Sequence, residues 1–274
     1  MKISEVIEKV VAYHPPMDES HPTTDVVKIG DPKQECTGIV VTCFASVNVI
    51  RRAAELGANL IIVHEPLFWN HEDRTDWLEN SVIFQEKKKL LEENGIVVWR
   101  DHDHIHGGSP VNPPLDGIFY GIMKELGWEP YRIGFAGKPL LYLIPETDAA
   151  ELGLFLKERL NLNGIRIVGD PHTKVSKIFL WEHIREHDPM EEEKLRKVDE
   201  EEIDAIIPLE LIDWTVSAYV RDASQLGHAK ILYNIGHFNF EEIGMKYMLQ
   251  YLPGLVGNIP VHYVQSGDAF DFLI

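Results

Sequence analysis

Short apolar runs alternate with amphipathic segments along most of this chain. Apolar runs at 38–43, 59–63 and 96–99 are separated by segments in which apolar residues recur every three or four positions. Runs of this length predict buried strands, and the periodic segments between them predict helices. Strand, helix and strand within about thirty residues is the size of a βαβ unit, which favours a parallel or mixed sheet covered by helices on both faces.

Residues at the segment ends support this assignment. Ser46 is suited to cap the N-terminus of a helix, and Gly57 is suited to end it. A second helix is predicted over 81–94, with Gly95 ending it before the next strand. The same patterns predict further helices over 115–126, 148–160, 211–223 and 240–252, and strands over 139–144, 165–168, 175–180, 203–208, 230–235 and 262–264.

These elements predict the α/β class, with two α/β lobes whose mixed sheets are flanked by helices. A chain of 274 residues has room for such an arrangement with an ample core. We expect three segments: a first α/β lobe over 1–137, a divergent second lobe over 138–228, and a C-terminal segment over 229–274. Residues 190–202 carry many charges of both signs and are expected to form a solvated helix or loop.

Composition narrows the classes of function. The formal net charge of −18 argues against a sequence-independent nucleic-acid binder, which needs a basic surface. The apolar runs are too short for membrane spans, and residues 1–11 predict an amphipathic helix instead of a signal peptide, so a cytoplasmic protein is expected. Cys36 and Cys43 are the only cysteines, so any metal must be bound by histidine and carboxylate side chains.

Three apolar runs, at 59–63, 96–99 and 231–235, are followed by potential metal ligands. His64 and Glu65 follow the run at 59–63, the segment 101–106 (DHDHIH) follows the run at 96–99, and His237 and Glu241 follow the run at 231–235. Because the carboxyl ends of strands in an α/β sheet meet at one edge, we expect these segments to build one site. Glu65 precedes a proline that favours a turn, so His64 and Glu65 could each bind one metal, or Glu65 could bridge two.

Each segment also has a purely structural explanation. A histidine at the end of a buried strand can be a hydrogen-bonded core residue. The three histidines of 101–106 lie on one side of an extended chain, but they could equally belong to an exposed loop.

At the third segment, Asn239 is predicted to cap the helix that follows, with Glu242 completing a capping box. His237 would then lie just outside the helix, and Glu241 in its first turn, where the helix dipole favours a carboxylate. Taken together, the three segments favour a metal site.

A resemblance sharpens this interpretation. The sequence GANLIIVH at 57–64, followed by PLFW at 66–69, comes directly after the helix led by Ser46. Residues 102–106 are similar to an H-T-N-L-D motif, and residues 236–241 to a G-H-Y-x-x-E motif. In these features the chain resembles the Nif-three-like dinuclear metal-centre family, also labelled GTP cyclohydrolase 1 type 2 homologues. The resemblance is strong over 37–128 and 230–252 and weak over 145–225.

The resemblance implies a Nif-three-like fold and divalent metal ions, two per chain, with zinc, iron, manganese or nickel as the candidates. Carried over residue by residue, it implies five ligands: His64, Glu65 in place of a second histidine, His106 in place of an aspartate, His237 and Glu241. The two exchanges are reciprocal and keep three histidines and two carboxylates.

Two of the residues in these motifs are also predicted to be catalytic. They are Glu241 and His102, with His102 or Asp103 orienting ligands or moving protons. Glu210 could approach the site, but a role on the exposed surface is favoured.

A dinuclear centre of this kind predicts a metal-dependent hydrolase of a small phosphorylated, nucleotide-like or cyclic amide compound. Two alternatives stay open: a non-enzymatic metal-binding oligomer that serves as a scaffold, metal store or partner-binding protein, and a protein that has kept the fold but lost tight metal binding. The resemblance also implies a toroidal homohexamer whose metal sites face an interior cavity. No Walker loop or G-x-G-x-x-G fingerprint is present.

Overall fold

A computed structural model describes residues 1–17, 20, 22–109, 111, 113–134, 140–184 and 190–273. The chain forms two compact units, each of which contains one five-stranded mixed sheet. The first unit consists of Met1–Gly121 and Glu241–Gly267, and the second of Ile122–Phe240 and Asp268–Ile274. The predicted mixed α/β fold is confirmed.

The strands among the described residues are β1 (Val27–Ile29), β2 (Ile39–Thr42), β3 (Leu60–Val63), β4 (Val97–Arg100), β5 (Leu141–Asp148), β6 (Arg166–Val168), β7 (Lys174–Ile184), β8 (Ala205–Leu211), β9 (Ile231–Asn234) and β10 (Val261–Tyr263). The helices are α1 (Ile3–Tyr13), α2 (Val47–Glu55), α3 (Val82–Glu93), α4 (Asp103–Gly107), α5 (Gly117–Leu126), α6 (Ala149–Arg159), α7 (Glu191–Glu200), α8 (Val216–Gln225), α9 (His237–Lys246) and α10 (Leu252–Val256). Two 3₁₀ turns cover Glu129–Tyr131 and Tyr247–Gln250. Among the residues that the structure describes, no helix is long and apolar enough to cross a membrane.

The sheet of the first unit has the strand order β1-β4-β3-β2-β10, in which β1 is antiparallel to β4 and the other neighbours are parallel. Every residue of β2, β3 and β4 is buried, as expected for parallel strands covered on both faces. The apolar sides of α2 and α3 pack against one face of this sheet. The hydroxyl of Ser46 accepts a hydrogen bond from the Val49 amide at 3.4 Å, which confirms its predicted capping role.

The sheet of the second unit has the order β5-β7-β8-β9-β6. The three central strands β7, β8 and β9 are parallel, and the edge strands β5 and β6 are antiparallel to their neighbours. Strands β9 and β10 are both in the predicted C-terminal segment, but they belong to different sheets. The predicted boundary after residue 137 and the predicted strand start at 139 lie outside the described residues.

Two predicted helices begin at different places in the structure. The helix predicted over 211–223 begins at Val216, because β8 continues to Leu211. The helix predicted over 240–252 begins at His237 and ends at Lys246, before a 3₁₀ turn. Asn239 is therefore the third residue of α9 and not its cap, and its side-chain amide donates back to the Ile235 carbonyl at 2.8 Å. The charged segment 190–202 forms helix α7.

One lysine is buried in the first unit. Lys87 on α3 is only 3% exposed, and its Nζ donates to the Leu67 carbonyl oxygen at 2.7 Å. The same nitrogen lies 4.5 Å from the centre of the Phe44 ring and 5.5 Å from that of Trp69, within the range of cation–π attraction. Burial lowers the pKa of Lys87 from 10.5 to about 8, although Asp73 opposes part of this effect.

This lysine gives the first testable prediction, a pH-dependent stability. The unfolded chain holds the Lys87 proton up to about pH 10.5, whereas the folded protein releases it near pH 8, so the unfolded state binds more protons between these values. We therefore expect the free energy of unfolding of the wild type, relative to Lys87→Met, to rise from pH 8 to pH 10. Urea unfolding at several pH values measures this, and Lys89→Met, which removes an exposed lysine of the same helix, should show no such trend.

Candidate metal centre

Two neighbouring strands deliver the first candidate ligands to one edge of the first sheet. Strands β3 and β4 are parallel, with Val63 opposite Arg100, so His64 and Asp101 leave the sheet together. The Asp101 amide donates to the Val63 carbonyl at 2.8 Å, and the His64 Nδ1–H donates to the Asp101 carbonyl at 3.1 Å. His64 is completely buried. The predicted convergence of strand ends is thus present at β3 and β4.

The segment after β4 is a short helix and not the extended chain that we predicted. The Asp25 carboxylate determines this local structure, because one of its oxygens accepts hydrogen bonds from the amides of His102 and Asp103, each at 2.8 Å. In a helix, residues four apart share a face while residues two apart do not. His102 and His106 therefore lie together, and His104 turns elsewhere.

His64, His102 and His106 form the histidine cluster. The ring of His64 stacks on that of His102 with centroids 4.6 Å apart, and the His106 centroid is 4.9 Å from each of the other two. One ring nitrogen from each residue lies within 4.8 Å of the other two, which is close enough for one metal ion to contact all three.

Two carboxylates adjoin this cluster. The Oε2 atom of Glu241 is 3.5 Å from the Nε2 atom of His64, and Glu241 is only 4% exposed. Ligand atoms of Glu65, Glu241 and His64 also lie within 4.8 Å of one another. The structure therefore brings four of the five predicted ligands, namely His64, Glu65, His106 and Glu241, into the first unit with His102.

The hydrogen bonds of the histidine cluster leave the same nitrogen of each ring for a ligand. His64 uses Nδ1 on the Asp101 carbonyl, as described above. His102 Nδ1 donates to Asp103 at 2.8 Å, and His106 Nδ1 donates to Asp116 at 2.8 Å. In the neutral rings these bonds place the proton on Nδ1 and leave Nε2 with a lone pair, as in histidines that bind metals.

The Nε2 atom of His64 provides a test of whether a metal fits. This atom is buried and has no hydrogen-bond partner among the described residues. An unsatisfied buried nitrogen costs free energy, and two further imidazoles and a carboxylate surround it. The donor set therefore fits a divalent ion that accepts nitrogen and oxygen ligands.

The pKa values of His102 and His64 are shifted in opposite directions. Burial, together with the neighbouring His64 and His106, lowers the pKa of His102 to about 4, so this ring is neutral at pH 7. Burial also acts to lower the pKa of His64, but Glu241 and Glu65 outweigh it and raise the pKa to about 9. A proton on His64 thus competes with a metal ion for the same nitrogen, and metal binding should release it.

The fifth predicted ligand belongs to the second unit. His237 is the first residue of α9, and its Nδ1 is 2.9 Å from one oxygen of Glu210. The other Glu210 oxygen is 3.1 Å from Nδ1 of His183, and the side chains of His183, Glu210 and His237 form a group with metal-ligand spacing in the second unit. The two histidines hold the pKa of Glu210 well below its ordinary value. The Glu210 side chain is 43% exposed and so lies at the surface, but it also contacts His237, one of the predicted ligands.

Sequence reasoning missed several residues of these sites. His102 was predicted to move protons or orient ligands, whereas its ring belongs to the cluster itself. Asp25 and Asp116 hold the segment in place, and Asp116 also caps α5 by accepting from the Ile118 amide at 3.1 Å. For Asp116, its place directly before Gly117 at the start of a predicted helix was a signal in the sequence. For Asp25, no sequence feature indicated that its carboxylate binds the amides at the start of α4.

A family model described as Duf34/NIF3 (NGG1p interacting factor 3) matches residues 1–182. The chain belongs to this family. The membership confirms the resemblance found in the sequence, and the matched region includes β1 to β4 and the whole histidine cluster.

Individual relatives agree with this membership. A Staphylococcus epidermidis protein named GTP cyclohydrolase 1 type 2 homolog is 39% identical over 131 residues, which are 47% of this chain and 32% of that protein. A Clostridium perfringens protein of the same name is 24% identical over 156 residues, 56% of this chain and 58% of its own length. The match thus spans about a third of the first relative and somewhat more than half of the second.

Solved structures show the same fold. A Staphylococcus aureus hypothetical protein has a TM-score of 0.71 and 18% identity, with 100% of this chain and 99% of that chain covered. A Bacillus cereus protein related to NIF3 also has a TM-score of 0.71, at 13% identity and the same coverage of both chains. At these identities the likeness concerns the fold alone.

Proposed function

We propose that this Duf34/NIF3 protein binds divalent metal ions at the histidine cluster and hydrolyses a small phosphorylated, nucleotide-like or cyclic amide compound there. The observation that carries the proposal is the buried Nε2 atom of His64, which forms no hydrogen bond among the described residues and is surrounded by His102, His106 and Glu241. The printed name of the relatives, GTP cyclohydrolase 1 type 2 homolog, is compatible with hydrolysis but belongs to those proteins.

The donor set supports zinc, iron, manganese or nickel, because imidazole nitrogens and carboxylate oxygens both suit these metals. Two three-residue groups share His64, one with the other histidines and one with Glu65 and Glu241. Since a single Nε2 atom binds one ion, a second ion needs the carboxylates, which can bridge. We propose two ions per chain on this basis, and His237 stays a predicted ligand.

A bound divalent ion supplies Lewis acidity and a nucleophile at neutral pH. The chain's own residues prepare the site for it. Asp103 and Asp116 hold the rings of His102 and His106 through Nδ1, so that both rings keep one orientation. Glu241 places a carboxylate oxygen 3.5 Å from His64 Nε2, where it can bind a cation or accept a proton from a reacting group. We also propose that the protein forms a homohexamer, as expected from the family resemblance.

The function is tested by assaying a panel of phosphoesters, nucleotides and cyclic amides with the purified protein after chelation and after addition of each candidate metal. We expect metal-dependent hydrolysis of at least one class, and a fall of about 100-fold or more in Glu241→Gln. The matched control is Glu86→Gln, which changes an exposed glutamate of the same unit and should keep full activity.

Two outcomes would count against the hydrolase. If metal binds but no compound is hydrolysed, the non-enzymatic metal-binding scaffold takes its place. If hydrolysis continues unchanged in Glu241→Gln, the activity does not use this site.

A further inference from the structure

Several other buried polar atoms of the first unit have no hydrogen-bond partner among the described residues. Both carboxylate oxygens of Asp101, the Nε2 atom of His14 and the hydroxyl of Tyr251 are buried and form no hydrogen bond among the described residues. Asp101 is completely buried and His14 is 6% exposed. We call His14, Asp101 and Tyr251, with the neighbouring Asp25 and His104, the acidic pocket. Unsatisfied buried groups are rare in folded proteins, so this concentration needs a physical cause.

His14 and Asp101 face each other without a hydrogen bond between them. Its Nδ1–H donates to the Gly108 carbonyl at 2.9 Å, so in the neutral ring Nε2 carries a lone pair. That lone pair faces the Oδ2 atom of Asp101 across 3.7 Å, with both side chains almost fully shielded from solvent. Two hydrogen-bond acceptors facing each other repel, and 3.7 Å is too long for a direct hydrogen bond even if His14 is protonated. An electropositive group between them would relieve both atoms.

The surroundings of Asp101 add negative charge. Ligand atoms of Asp25, Asp101 and His104 lie within 4.8 Å of one another. The Asp25 oxygens accept hydrogen bonds from three backbone amides of the α4 segment, and His104 Nδ1 is 2.6 Å from one of them. Asp25 therefore accepts hydrogen bonds on both oxygens, whereas neither oxygen of Asp101 accepts one among the described residues. A buried carboxylate without compensation costs several kcal/mol.

We propose that the acidic pocket binds one divalent cation through Asp101 and His14, at a site separate from the histidine cluster. The ligands are a carboxylate oxygen and an imidazole nitrogen, a combination that zinc, manganese and cobalt accept. Asp25 adds a second carboxylate beside Asp101, and one of its oxygens lies within 4.8 Å of ligand atoms of Asp101 and His104. Burial raises the pKa of the Tyr251 hydroxyl, and the nearby charge of Asp101 raises it further.

A proton and a water molecule are the competing occupants. Burial lowers the pKa of His14, but Asp101 and the Gly108 carbonyl raise it, and the net shift is upward. A proton on Nε2 would nevertheless leave the other Asp101 oxygen without a donor. A water molecule could bridge the two acceptors but would not neutralise the carboxylate. The cation satisfies the lone pairs and the charge together.

The experiment counts bound Co²⁺ by equilibrium dialysis and does not depend on metal binding by the histidine cluster. It uses the full chain carrying His106→Ala and Glu241→Gln, which weaken that cluster. In this background we expect Asp101→Asn, and separately His14→Phe, to remove one Co²⁺ per chain. Asp73→Asn changes another carboxylate of the same unit, whose side chain is 3% exposed, and should remove none. Equal Co²⁺ content in all four proteins would overturn the proposal.

A second measurement covers the case in which a variant fails to fold. Wild-type crystals soaked in Co²⁺ should show an anomalous difference peak between Asp101 and His14 at the cobalt edge. Density without an anomalous signal identifies water, and no density identifies a proton on His14; either result rejects the cation. A peak at the histidine cluster, present or absent, tests the proposed function separately.

Discussion

His64→Ala is expected to lower the affinity for divalent metal by more than about 100-fold. His64 belongs to two of the three candidate metal groups of the first unit, and its Nε2 atom is buried without a hydrogen bond among the described residues. Loss of an outer residue that only orients a ligand typically costs about 10–100-fold in metal affinity, so loss of the ligand itself should cost more. Bound metal per chain, measured by elemental analysis after dialysis against zinc or manganese, tests this expectation.

Two variants calibrate that measurement. Asp116→Asn keeps every candidate ligand but weakens the hold on His106 Nδ1, so we expect an intermediate loss of about 10–100-fold. His228→Ala removes an exposed histidine of the second unit and should bind like the wild type. Equal metal content in His64→Ala and the wild type, with both proteins folded by circular dichroism, would rule out the histidine cluster as the metal centre.

The second large effect is expected at the crossing of α5 and α9. A Cβ atom added to Gly244 would lie 2.6 Å from the Ile118 carbonyl oxygen and 2.9 Å from its Cα, and both of these are backbone atoms that cannot rotate away. Overpacking of this kind costs about 1–3 kcal/mol and occasionally more. We expect Gly244→Ala to lower the free energy of unfolding by ~3 kcal/mol, the upper end of this range. This corresponds to a fall in Tm of roughly 6–12 °C for a protein of this size.

Gly254→Ala is the control for this substitution. Gly254 lies in α10 and has no heavy atom within 4 Å of an added Cβ, so alanine should leave stability unchanged or raise it by about 0.5–1 kcal/mol. Because α9 also carries Glu241, Gly244→Ala should weaken metal binding as well. A Tm within a degree or so of the wild type would show that the two helices can separate without cost.

Much of the first unit could be predicted from local pattern. The apolar runs correspond to β2, β3 and β4, and the serines and glycines beside them mark the helices between. These features are local, because burial on both faces gives continuous apolar runs and caps satisfy nearby amides. The 101–106 segment shows the limit of this approach. Its predicted extended form was wrong because Asp25, more than seventy positions away, accepts the amide hydrogen bonds that start α4.

The assignment of strands to sheets was equally beyond local pattern. Strands β9 and β10 are separated by a single helical region, yet they belong to different sheets. Each strand carries the same kind of apolar signal, and pairing depends on which edge is open after the rest of the sheet has formed. The edge strand β1, whose three residues are only partly buried, has no such signal and was not predicted.

The sequence by itself determined which kinds of side chain stand at the ends of the buried strands, and therefore that any metal centre there would have imidazole and carboxylate ligands. Only the tertiary structure decided which of them meet. Helix α4 sends His102 and His106 toward His64 and turns His104 toward Asp25, because side chains on a helix repeat at about 3.6 residues and not at two. The folded chain also places an acceptor beside each Nδ1, the Asp101 carbonyl for His64 and the carboxylates of Asp103 and Asp116 for His102 and His106, so Nε2 of each ring faces the cluster.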